Sequence, residues 1–450
     1  MNQLNKFLYK KVLVLGLAKS GFATAEVLYK NKIDLVVNDL STKEDDLLVK
    51  SLKEKGIKVV LGSHPLELLD GIDLIVKNPG IPYTSNLLME AKKRDIPIIT
   101  EIELTYKMLN EQNLIGITGS NGKTTTTSLV SQILKNDKQK SSTAGNIGEV
   151  SISVAENLAA DESLLLELSS FQLQGTKEFK PHIAALLNLY EAHLDYHGSF
   201  KKYCEAKANI FINQTEEDYL VYNYDDKEVS KVIQKATANL IPFSTKETLN
   251  NGSWTDGEYI FFREEKIMKT TEIALVGEHN LANVLAALAI VKLNNVKNES
   301  IKNVLKTFTG VEHRLEFVCM KNNRKFYNDS KATNILATEQ ALKAFDTPTI
   351  LLAGGLDRGD DFLSLVPFLK NVKALVLFGQ TKEKLKKAGI AAGITNITLV
   401  ETMKEAVETA YRQSVETDII LLSPACASWD QYKTFEDRGN LFIENIKELD

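Results

Sequence analysis

Short apolar runs alternate with longer polar or amphipathic stretches along most of the chain. Such runs are typical of buried strands in parallel sheets, and the stretches between them suit the helices that connect parallel strands. Strands are predicted at residues 11–17, 34–39, 58–62, 73–80, 97–104, 113–117, 163–170, 182–190, 347–355, 372–379, 396–400 and 418–428. Helices are predicted from the turn after the first strand to Tyr29, and at residues 126–135, 199–211 and 280–293. The pattern indicates an α/β protein with mainly parallel sheets.

The alternation divides into three segments, residues 1–100, 101–310 and 311–450. A chain of 450 residues suits about three domains of roughly 150 residues each. We therefore predict three α/β domains with these boundaries.

Composition narrows the class of protein. With 54 basic and 59 acidic residues the formal charge is −5, which argues against general nucleic-acid affinity but leaves a local basic patch open. Cys204, Cys319 and Cys426 lack metal-ligand spacing and indicate reduced thiols. The first residues do not have the pattern of a secretory signal, and no apolar stretch approaches the ~18 residues of a membrane span. We expect a cytoplasmic protein that binds neither nucleic acid nor membranes.

Glycines at positions 116, 119 and 122 precede Lys123 and Thr124, between a predicted strand and a predicted helix. Glycine lets backbone N–H groups curl around phosphate oxygens, and a helix N-terminus favours negative charge. Lys123 would reach the outer phosphates, and the Thr124 hydroxyl would bind magnesium. Position 117 is isoleucine, so the usual pattern G-x-x-x-x-G-K-[ST] is matched incompletely. Rather than an ordinary turn, we predict an ATP or GTP site at Gly119, Ser120, Asn121, Gly122, Lys123, Thr124 and Thr125.

A second glycine turn follows the first strand. It contains Gly16, Ala18 and Gly21, and Asp39 ends the next strand. This is close to a dinucleotide fingerprint with alanine in place of the middle glycine. Three interpretations remain open: NAD with Asp39 on a ribose, another nucleotide-like ligand, or a turn that serves packing alone.

Polar residues of the second segment also have alternative interpretations. Glu167 ends an apolar strand and is either a solvated residue at the sheet end or a magnesium ligand. His193 follows a strand, where ligand-binding loops are usual, and His197 would complete a zinc pair only with a third ligand. Lys207, on the helix after this loop, either extends into solvent or faces the site.

Charged and hydroxyl side chains of the third segment cluster at predicted strand ends, in residues 312–314, 328–334, 353–362 and 423–439. Each cluster alone is typical of solvated surface. Since the ends of parallel strands meet at one sheet edge, several together favour a site for an anionic substrate.

Taken together, these motifs resemble the Mur ligase family of cell-wall enzymes over essentially the whole chain. The resemblance rests on TGSNGKTTT (118–126), GNIG (145–148), LELSSFQL (166–173), HLD (193–195), AKANIF (206–211), GEHNLANVLAA (277–287), HRLE (313–316), NDSKATN (328–334) and SPACASWDQYKTFEDRG (423–439). It implies a Rossmann-like N-terminal domain, a central P-loop ATPase-type domain and a Rossmann-like C-terminal domain. It also implies ATP-dependent amide ligation with Mg²⁺, and UDP-N-acetylmuramoyl-L-alanine and D-glutamate as substrates.

The resemblance further implies roles for individual residues. Lys123, His193, Lys207 and Lys331 would be catalytic, with Lys207 carbamylated. The other implied roles are magnesium binding by Thr124, Glu167, His193 and Lys207; adenine binding by Asn280 and Asn283; ribose and phosphate binding by Arg314 and Asp329; and substrate binding by Leu17, Ala18, Asp39, Asn146, Lys331, Thr333, Arg358, Ser428, Trp429 and Phe435. Arg358 stands where better-known members have a lysine, and Trp429 where we expect a smaller apolar residue.

Two functions of other classes compete with ligation. A NAD-dependent dehydrogenase would leave Gly122-Lys123-Thr124 unexplained. A nucleotide-switched binding module would leave the polar strand ends of the third segment unexplained. For the ligase we expect a monomer.

Overall fold

The computed structural model describes residues 2–4, 7–110 and 112–449. The chain divides into two compact units, the first made of Met1–Glu272 and Ala282–Lys306 and the second of Ile273–Leu281 and Thr307–Asp450. Among the described residues, no helix is both long and apolar enough to cross a membrane.

The first unit begins with a parallel five-stranded sheet. Its strands are β1 (Lys11–Leu15), β2 (Asp34–Asp39), β3 (Lys58–Leu61), β4 (Leu74–Lys77) and β5 (Ile98–Ile99), in the order β3-β2-β1-β4-β5. The helices are α1 (Lys19–Lys30), α2 (Leu47–Glu54), α3 (Asn86–Lys93) and α4 (Glu101–Met108), with a 3₁₀ turn at Leu66–Leu69. The chain reverses its direction across the sheet between β1 and β4, and α/β sheets bind ligands at such a switch point.

A nine-stranded sheet completes the first unit. Its strands are β6 (Leu114–Thr118), β7 (Ser141–Gly145), β8 (Ser163–Glu167), β9 (Ile183–Leu186), β10 (Tyr219–Asn223), β11 (Asn239–Ser244), β12 (Ser253–Thr255), β13 (Tyr259–Phe262) and β14 (Glu265–Lys269). The order is β14-β13-β12-β11-β10-β9-β6-β8-β7, parallel from β7 to β12 and antiparallel through β12, β13 and β14. Strand β6 therefore lies between β8 and β9.

The helices that follow in the chain are α5 (Lys123–Asn136), α6 (Ser151–Asn157), α7 (Ser170–Leu173), α8 (Leu194–His197), α9 (Phe200–Ala208), α10 (Lys227–Val232), α11 (Glu278–Leu293) and α12 (Asn298–Leu305), with 3₁₀ turns at Ile233–Lys235 and Thr270–Glu272. One cluster of buried apolar side chains spans both sheets of the first unit, from Val12 and Val14 on β1 to Leu166 on β8 and Leu186 on β9. The two sheets therefore share one core.

The second unit contains a six-stranded sheet. Its strands are β15 (Glu316–Lys321), β16 (Arg324–Asn328), β17 (Thr349–Gly354), β18 (Val372–Phe378), β19 (Asn396–Leu399) and β20 (Ile419–Leu422), in the order β15-β16-β20-β17-β18-β19. Its helices are α13 (Ile335–Lys343), α14 (Lys382–Ala391), α15 (Met403–Gln413) and α16 (Phe435–Lys447), with a 3₁₀ segment at Leu363–Asn371. All pairs are parallel except β15 with β16. The carboxyl ends of β16, β20 and β17 consequently lie side by side.

The predicted α/β class with mainly parallel sheets is confirmed, whereas the strand predicted at 97–104 is wrong beyond Ile99. Helix α4 begins at Glu101, and its carboxylates are buried rather than solvated. Glu103 accepts hydrogen bonds from the backbone N–H groups of residues 177–179 at 2.8, 2.9 and 3.2 Å. In the sequence, a buried glutamate that accepts hydrogen bonds from a loop looks the same as an outward-facing polar residue of a strand. The sequence pattern also did not predict β7 or β10 to β14.

Glu101 provides a prediction about stability and pH. Burial raises its pKa to about 7, although Ser151 and Ile152 at the start of α6 act in the opposite direction. Between its ordinary pKa of 4.5 and about 7, the folded state holds a proton that the unfolded state has released, so the free energy of unfolding falls as pH rises. We expect a slope of about 1 kcal/mol per pH unit from this group in denaturant-induced unfolding.

Glu101→Gln keeps the neutral shape and should flatten that slope, while Glu54→Gln, at an exposed position, should leave it unchanged. A Glu101→Gln variant with the wild-type slope would contradict the assignment.

Candidate functional site

A glycine turn joins β6 to α5 in the nine-stranded sheet, where β6 lies between β8 and β9. Gly122 precedes the first residue of α5 and has a φ of 82°, in the left-handed region. A Cβ at this position would lie 2.2 Å from Oδ1 of Asn283, so the turn requires glycine here. The first N–H groups of a helix have no intrahelical acceptor and attract anions. This geometry suits the triphosphate predicted at residues 119–125.

Two ammonium groups converge on one carbonyl oxygen of the turn. Lys123 Nζ donates to the oxygens of Gly119 at 2.8 Å and Ser120 at 3.0 Å. Lys207 Nζ donates to the same Gly119 oxygen at 2.8 Å and to Thr118 Oγ1 at 3.2 Å. Lys207 is 2% exposed, so its interpretation as a solvent-extended side chain is wrong. Burial, followed by the charge of Lys123, holds the pKa of Lys207 well below its ordinary value.

Glu167 ends β8 beside β6 and is 1% exposed, so its interpretation as a solvated residue is wrong. Its Oε1 accepts a 2.8 Å hydrogen bond from Asn146 Nδ2, and its backbone oxygen accepts another at 2.8 Å from the Asn146 N–H. Within the described residues, Glu167 Oε2 is buried without a hydrogen-bond partner. Burying an unpaired carboxylate oxygen costs free energy, and such hard oxygens are the ligands that magnesium prefers.

The two histidines of the following loop are held in the neutral form. His193 precedes α8 with a φ of 54°, and its ring centroid lies 4.8 Å from that of Phe171. Burial, followed by the charge of Lys207, lowers the pKa of His193. His197 is buried with Nε2 3.0 Å from Ser170 Oγ, and burial lowers its pKa to about 4. The described part of the chain contains no group of three His, Cys, Asp or Glu side chains suited to a metal ion, so a third ligand for a zinc pair is not found there.

The turn after β1 is fastened to the end of β2. Asp39 Oδ2 accepts a 2.7 Å hydrogen bond from the Leu17 N–H, and Oδ1 accepts from the N–H groups of Ser41 and Thr42 at 2.8 Å each. Burial alone would raise the pKa of Asp39, but these donors lower it to about 2. Ala18 is exposed beside this ionised carboxylate. The turn therefore presents a fixed negative charge at the switch point of the sheet.

The two asparagines predicted to bind adenine lie on different parts of α11. Asn280 belongs to the second unit, and its Nδ2 donates to the Val276 oxygen at 2.7 Å. Asn283 belongs to the first unit, where its Oδ1 lies 3.5 Å from Thr126 Oγ1. Asn283 is thus placed beside the glycine turn.

In the second unit, the predicted ribose and phosphate residues lie at the carboxyl edge of the sheet. Asp329 follows β16 and accepts hydrogen bonds from Ser423 Oγ at 2.8 Å and the Leu315 N–H at 3.1 Å. Burial raises the pKa of Asp329 to about 7, opposed by these donors and by Arg314 and Arg438. A buried carboxyl group is thus kept at the junction of β16 and β20.

The predicted amino-acid pocket residues lie at the same edge. Lys331 Nζ is 5.5 Å from the ring centroid of Phe435, and the Thr333 N–H donates to the Lys331 oxygen at 2.9 Å. Ser428 Oγ is buried and has no hydrogen-bond partner within the residues described for this unit.

The two positions that depart from the family pattern contact each other. The Arg358 guanidinium lies 5.1 Å from the ring centroid of Trp429, which is 65% exposed. An arginine stacks on an aromatic face while leaving its donors available at the edge.

The sequence analysis did not identify two residues that lie beside the predicted site residues, one in each unit. Tyr203 lies one helical turn before Lys207 on α9, and its ring centroid is 5.0 Å from the Lys207 Nζ. Because residues four apart on a helix are neighbours, the spacing between Tyr203 and Lys207 could have indicated this contact. Arg438 is fully buried and donates to Ser330 Oγ at 3.0 Å and to the Ser330 oxygen at 2.8 Å. No local pattern distinguishes Arg438 from a surface arginine.

Family models match three consecutive stretches of the chain. The Mur ligase MurD-like N-terminal domain matches residues 10–100, the Mur ligase middle domain residues 117–291, and the Mur ligase glutamate ligase domain residues 313–426. These matches confirm the prediction of three α/β domains, while the exact boundaries stay predictions.

Proteins of similar sequence span the whole chain. A protein of Oceanobacillus iheyensis named UDP-N-acetylmuramoylalanine–D-glutamate ligase is 54% identical over 449 residues, with 100% of both chains covered. One of Bacillus thuringiensis strain Al Hakam with the same name is 53% identical over 450 residues, also with 100% of both covered. Among solved structures, the MurF ligase of Thermotoga maritima in complex with ADP has a TM-score of 0.58 and 18% identity, covering 92% of this chain and 95% of that one. The structural likeness shows the fold.

The glycine turn provides a prediction about nucleotide binding. Gly122→Ala should weaken ATP binding about tenfold or more, equivalent to about 1.4 kcal/mol, because the added Cβ meets Asn283 and strains the turn. Titration calorimetry with ATP measures the effect. Gly56→Ala is the matched control, since Gly56 has a φ of 77° but a Cβ there meets nothing within 4 Å. Equal ATP affinities of the two variants would contradict the prediction.

Proposed function

The chain belongs to the Mur ligase family, and on that basis we propose that it uses ATP to join D-glutamate to UDP-N-acetylmuramoyl-L-alanine in peptidoglycan precursor synthesis. The observation that carries the proposal is 54% identity over the full chain to a protein named for this ligation. The resemblance inferred from the motifs is thereby confirmed. A cytoplasmic location and a monomeric state stay predictions.

The glycine turn and Lys123 are assigned to the triphosphate. In the first step, an oxygen of the substrate carboxylate attacks the γ-phosphorus of ATP, the bond to the bridging oxygen breaks, and ADP leaves an acyl phosphate behind. Negative charge builds on the phosphoryl oxygens, so donors at the start of α5 stabilise the transition state more than the ground state. Lys123 is held at the turn by Gly119 and Ser120, close to where those oxygens would lie.

The second step forms the amide bond. The D-glutamate amine attacks the acyl carbon, and inorganic phosphate leaves. An ammonium group cannot attack, so a base must take its proton. We assign this role to His193, whose lowered pKa keeps the imidazole neutral at pH 7.

The residues around Glu167 fit a magnesium ion. Glu167 Oε2 is a buried carboxylate oxygen whose charge needs a partner, and the Thr124 hydroxyl lies on the first turn of α5. We assign Glu167 and Thr124 as the side chains that would hold it, because a His193 nitrogen bound to magnesium could not accept the amine proton. Bound there, magnesium would neutralise charge on the transferred phosphoryl group. Asn146 keeps the Glu167 carboxylate in place through Oε1.

Lys207 is assigned as a carbamate. Its buried neutral amine can attack carbon dioxide, forming an N–C bond and releasing one proton, which turns a neutral group into an anion. The new negative charge would attract the Lys123 ammonium group, and the carbamate would add oxygens beside Glu167.

D-Glutamate is assigned to the carboxyl edge of the six-stranded sheet. Arg358, stacked on Trp429, offers a bidentate fork to a carboxylate, where a lysine would offer a point charge. The unpaired hydroxyl of Ser428 and the ammonium of Lys331 are further donors at this edge.

Phosphate release from ATP tests the proposed function. With Mg²⁺ and UDP-N-acetylmuramoyl-L-alanine, we expect release to depend on D-glutamate and to be near background with L-glutamate, L-alanine or L-lysine. Release with another amino acid would keep the family chemistry and change the specificity. ATP binding without release under any condition would contradict ligation.

Isotope labelling tests the carbamate. Protein equilibrated with ¹³C-bicarbonate should show a ¹³C carbonyl signal that disappears in Lys207→Arg. Lys202→Arg is the matched control, because Lys202 is an exposed lysine on the same helix and should retain the signal. A signal that persists in Lys207→Arg would overturn the assignment.

A further inference from the structure

Lys77, the last residue of β4, is a buried lysine whose hydrogen-bond acceptors are all uncharged, and burial lowers its pKa to about 7. It is 1% exposed, and its Nζ donates to the oxygens of Asn78 and Pro79 and to the Tyr196 hydroxyl, each at 3.1 Å. The ring centroid of Tyr83 lies 4.7 Å from the same Nζ. Burying an ammonium group costs several kcal/mol even when it is hydrogen-bonded. The proposed ligation does not use this amine, so its retention needs another explanation.

On one side, Lys77 fixes the turn that follows β4, residues 78–81. Asn78 Nδ2 donates to Ser20 Oγ at 3.1 Å, and the Asn78 N–H donates to the Leu15 oxygen at 2.7 Å. A Cβ at Gly16, whose φ is 95°, would lie 2.7 Å from the Asn78 Cβ. This turn is therefore packed directly on the β1 turn, and the family resemblance implies that Leu17 and Ala18 of the β1 turn hold the uridine diphosphate of the substrate.

On the other side, Lys77 holds α8 through Tyr196. The Tyr196 hydroxyl lies 2.9 Å from the Pro79 oxygen and 3.1 Å from the Ile81 oxygen, so it sits inside the turn. Helix α8 begins immediately after His193. Lys77 and Tyr196 thus connect the turns of the five-stranded sheet with the loop of the nine-stranded sheet that carries His193.

The contact continues toward Glu167 through Phe171. The Phe171 ring centroid lies 4.5 Å from that of Tyr196 and 4.8 Å from that of His193. Phe171 belongs to α7, which follows β8 and its terminal Glu167. One substrate molecule would have its uridine diphosphate at the first turn and its reacting carboxylate near these side chains.

We propose that Lys77 and Tyr196 are positioning residues that keep the UDP end of the substrate site in register with His193 and Glu167. The inference rests on the proposed function, since it concerns the span of that substrate. The amine suits the role because its nitrogen reaches two carbonyls and one hydroxyl from a single buried point. If these two parts of the site shift relative to each other, the substrate still binds at its UDP end but its carboxylate is misplaced for reaction. Displacements of about 1 Å can cost ~100-fold in rate.

The test uses Tyr196→Phe, which removes one oxygen, and Lys77→Met, which removes the charge and retains much of the stem. We expect kcat for the UDP-linked substrate, expressed per ADP-binding site, to fall about tenfold or more in each, with the KM for ATP within about twofold of wild type. The double variant should lose no more than the worse single variant, because both substitutions break one contact. Counting ADP-binding sites separates this effect from a loss of folded protein.

Lys92→Met is the matched control. Lys92 Nζ lies 4.8 Å from the same Tyr83 ring centroid, but Lys92 is exposed, so the control should retain the wild-type kcat. Wild-type kcat per site in Tyr196→Phe would overturn the proposal, as would a fall matched by Lys92→Met. If Lys77→Met does not fold, Tyr196→Phe alone decides. Failure of the proposed function has a different signature, because the wild-type protein itself would then release no phosphate with D-glutamate.

Discussion

The electrostatics of the candidate site in the first unit depend on the meeting of two lysines at the Gly119 carbonyl. Two ammonium groups this close repel strongly once water is excluded, so one of them must lose its proton or be modified. Lys207 is the buried partner, and its environment favours the neutral amine. Glu167 is buried at the same edge, and partial burial together with the charge of Lys207 lowers the pKa of the exposed His193. This edge thus lowers the pKa of two basic groups that the proposed chemistry needs there.

Local determinants were predictable from the sequence. The glycine turn between β6 and α5 was predicted because its glycines, its lysine, the strand before it and the helix after it are contiguous in the sequence. Strand β2 also begins and ends at the predicted residues. Burial of individual polar side chains was not predictable. Lys207 and Glu103 are charged residues that are expected to reach solvent, and only the packing of distant elements removes them from water.

The same limit applies to contacts between motifs. The quoted motifs identify His193 and Glu167, but they do not indicate what holds them at a fixed distance from the first sheet. Lys77 and Tyr196 are 119 residues apart in the chain, and neither lies in a pattern with chemical meaning of its own. In the second unit, Arg358 and Trp429 each looked like an isolated departure from the family, whereas the structure shows them as one stacked pair. A contact between two such positions becomes visible only in the structure.

The antiparallel extension of the nine-stranded sheet bears on how the chain avoids self-association. A sheet edge exposes backbone groups that can pair with a strand of another molecule, which is a route to aggregation. Strand β14 forms one edge and carries Glu265, Lys266 and Lys269 among its five residues. Charged side chains on an edge strand oppose such pairing, because a further strand would have to desolvate them. The hairpin of β13 and β14 therefore acts as a protective border that moves the hydrophobic parallel strands away from the exposed edge.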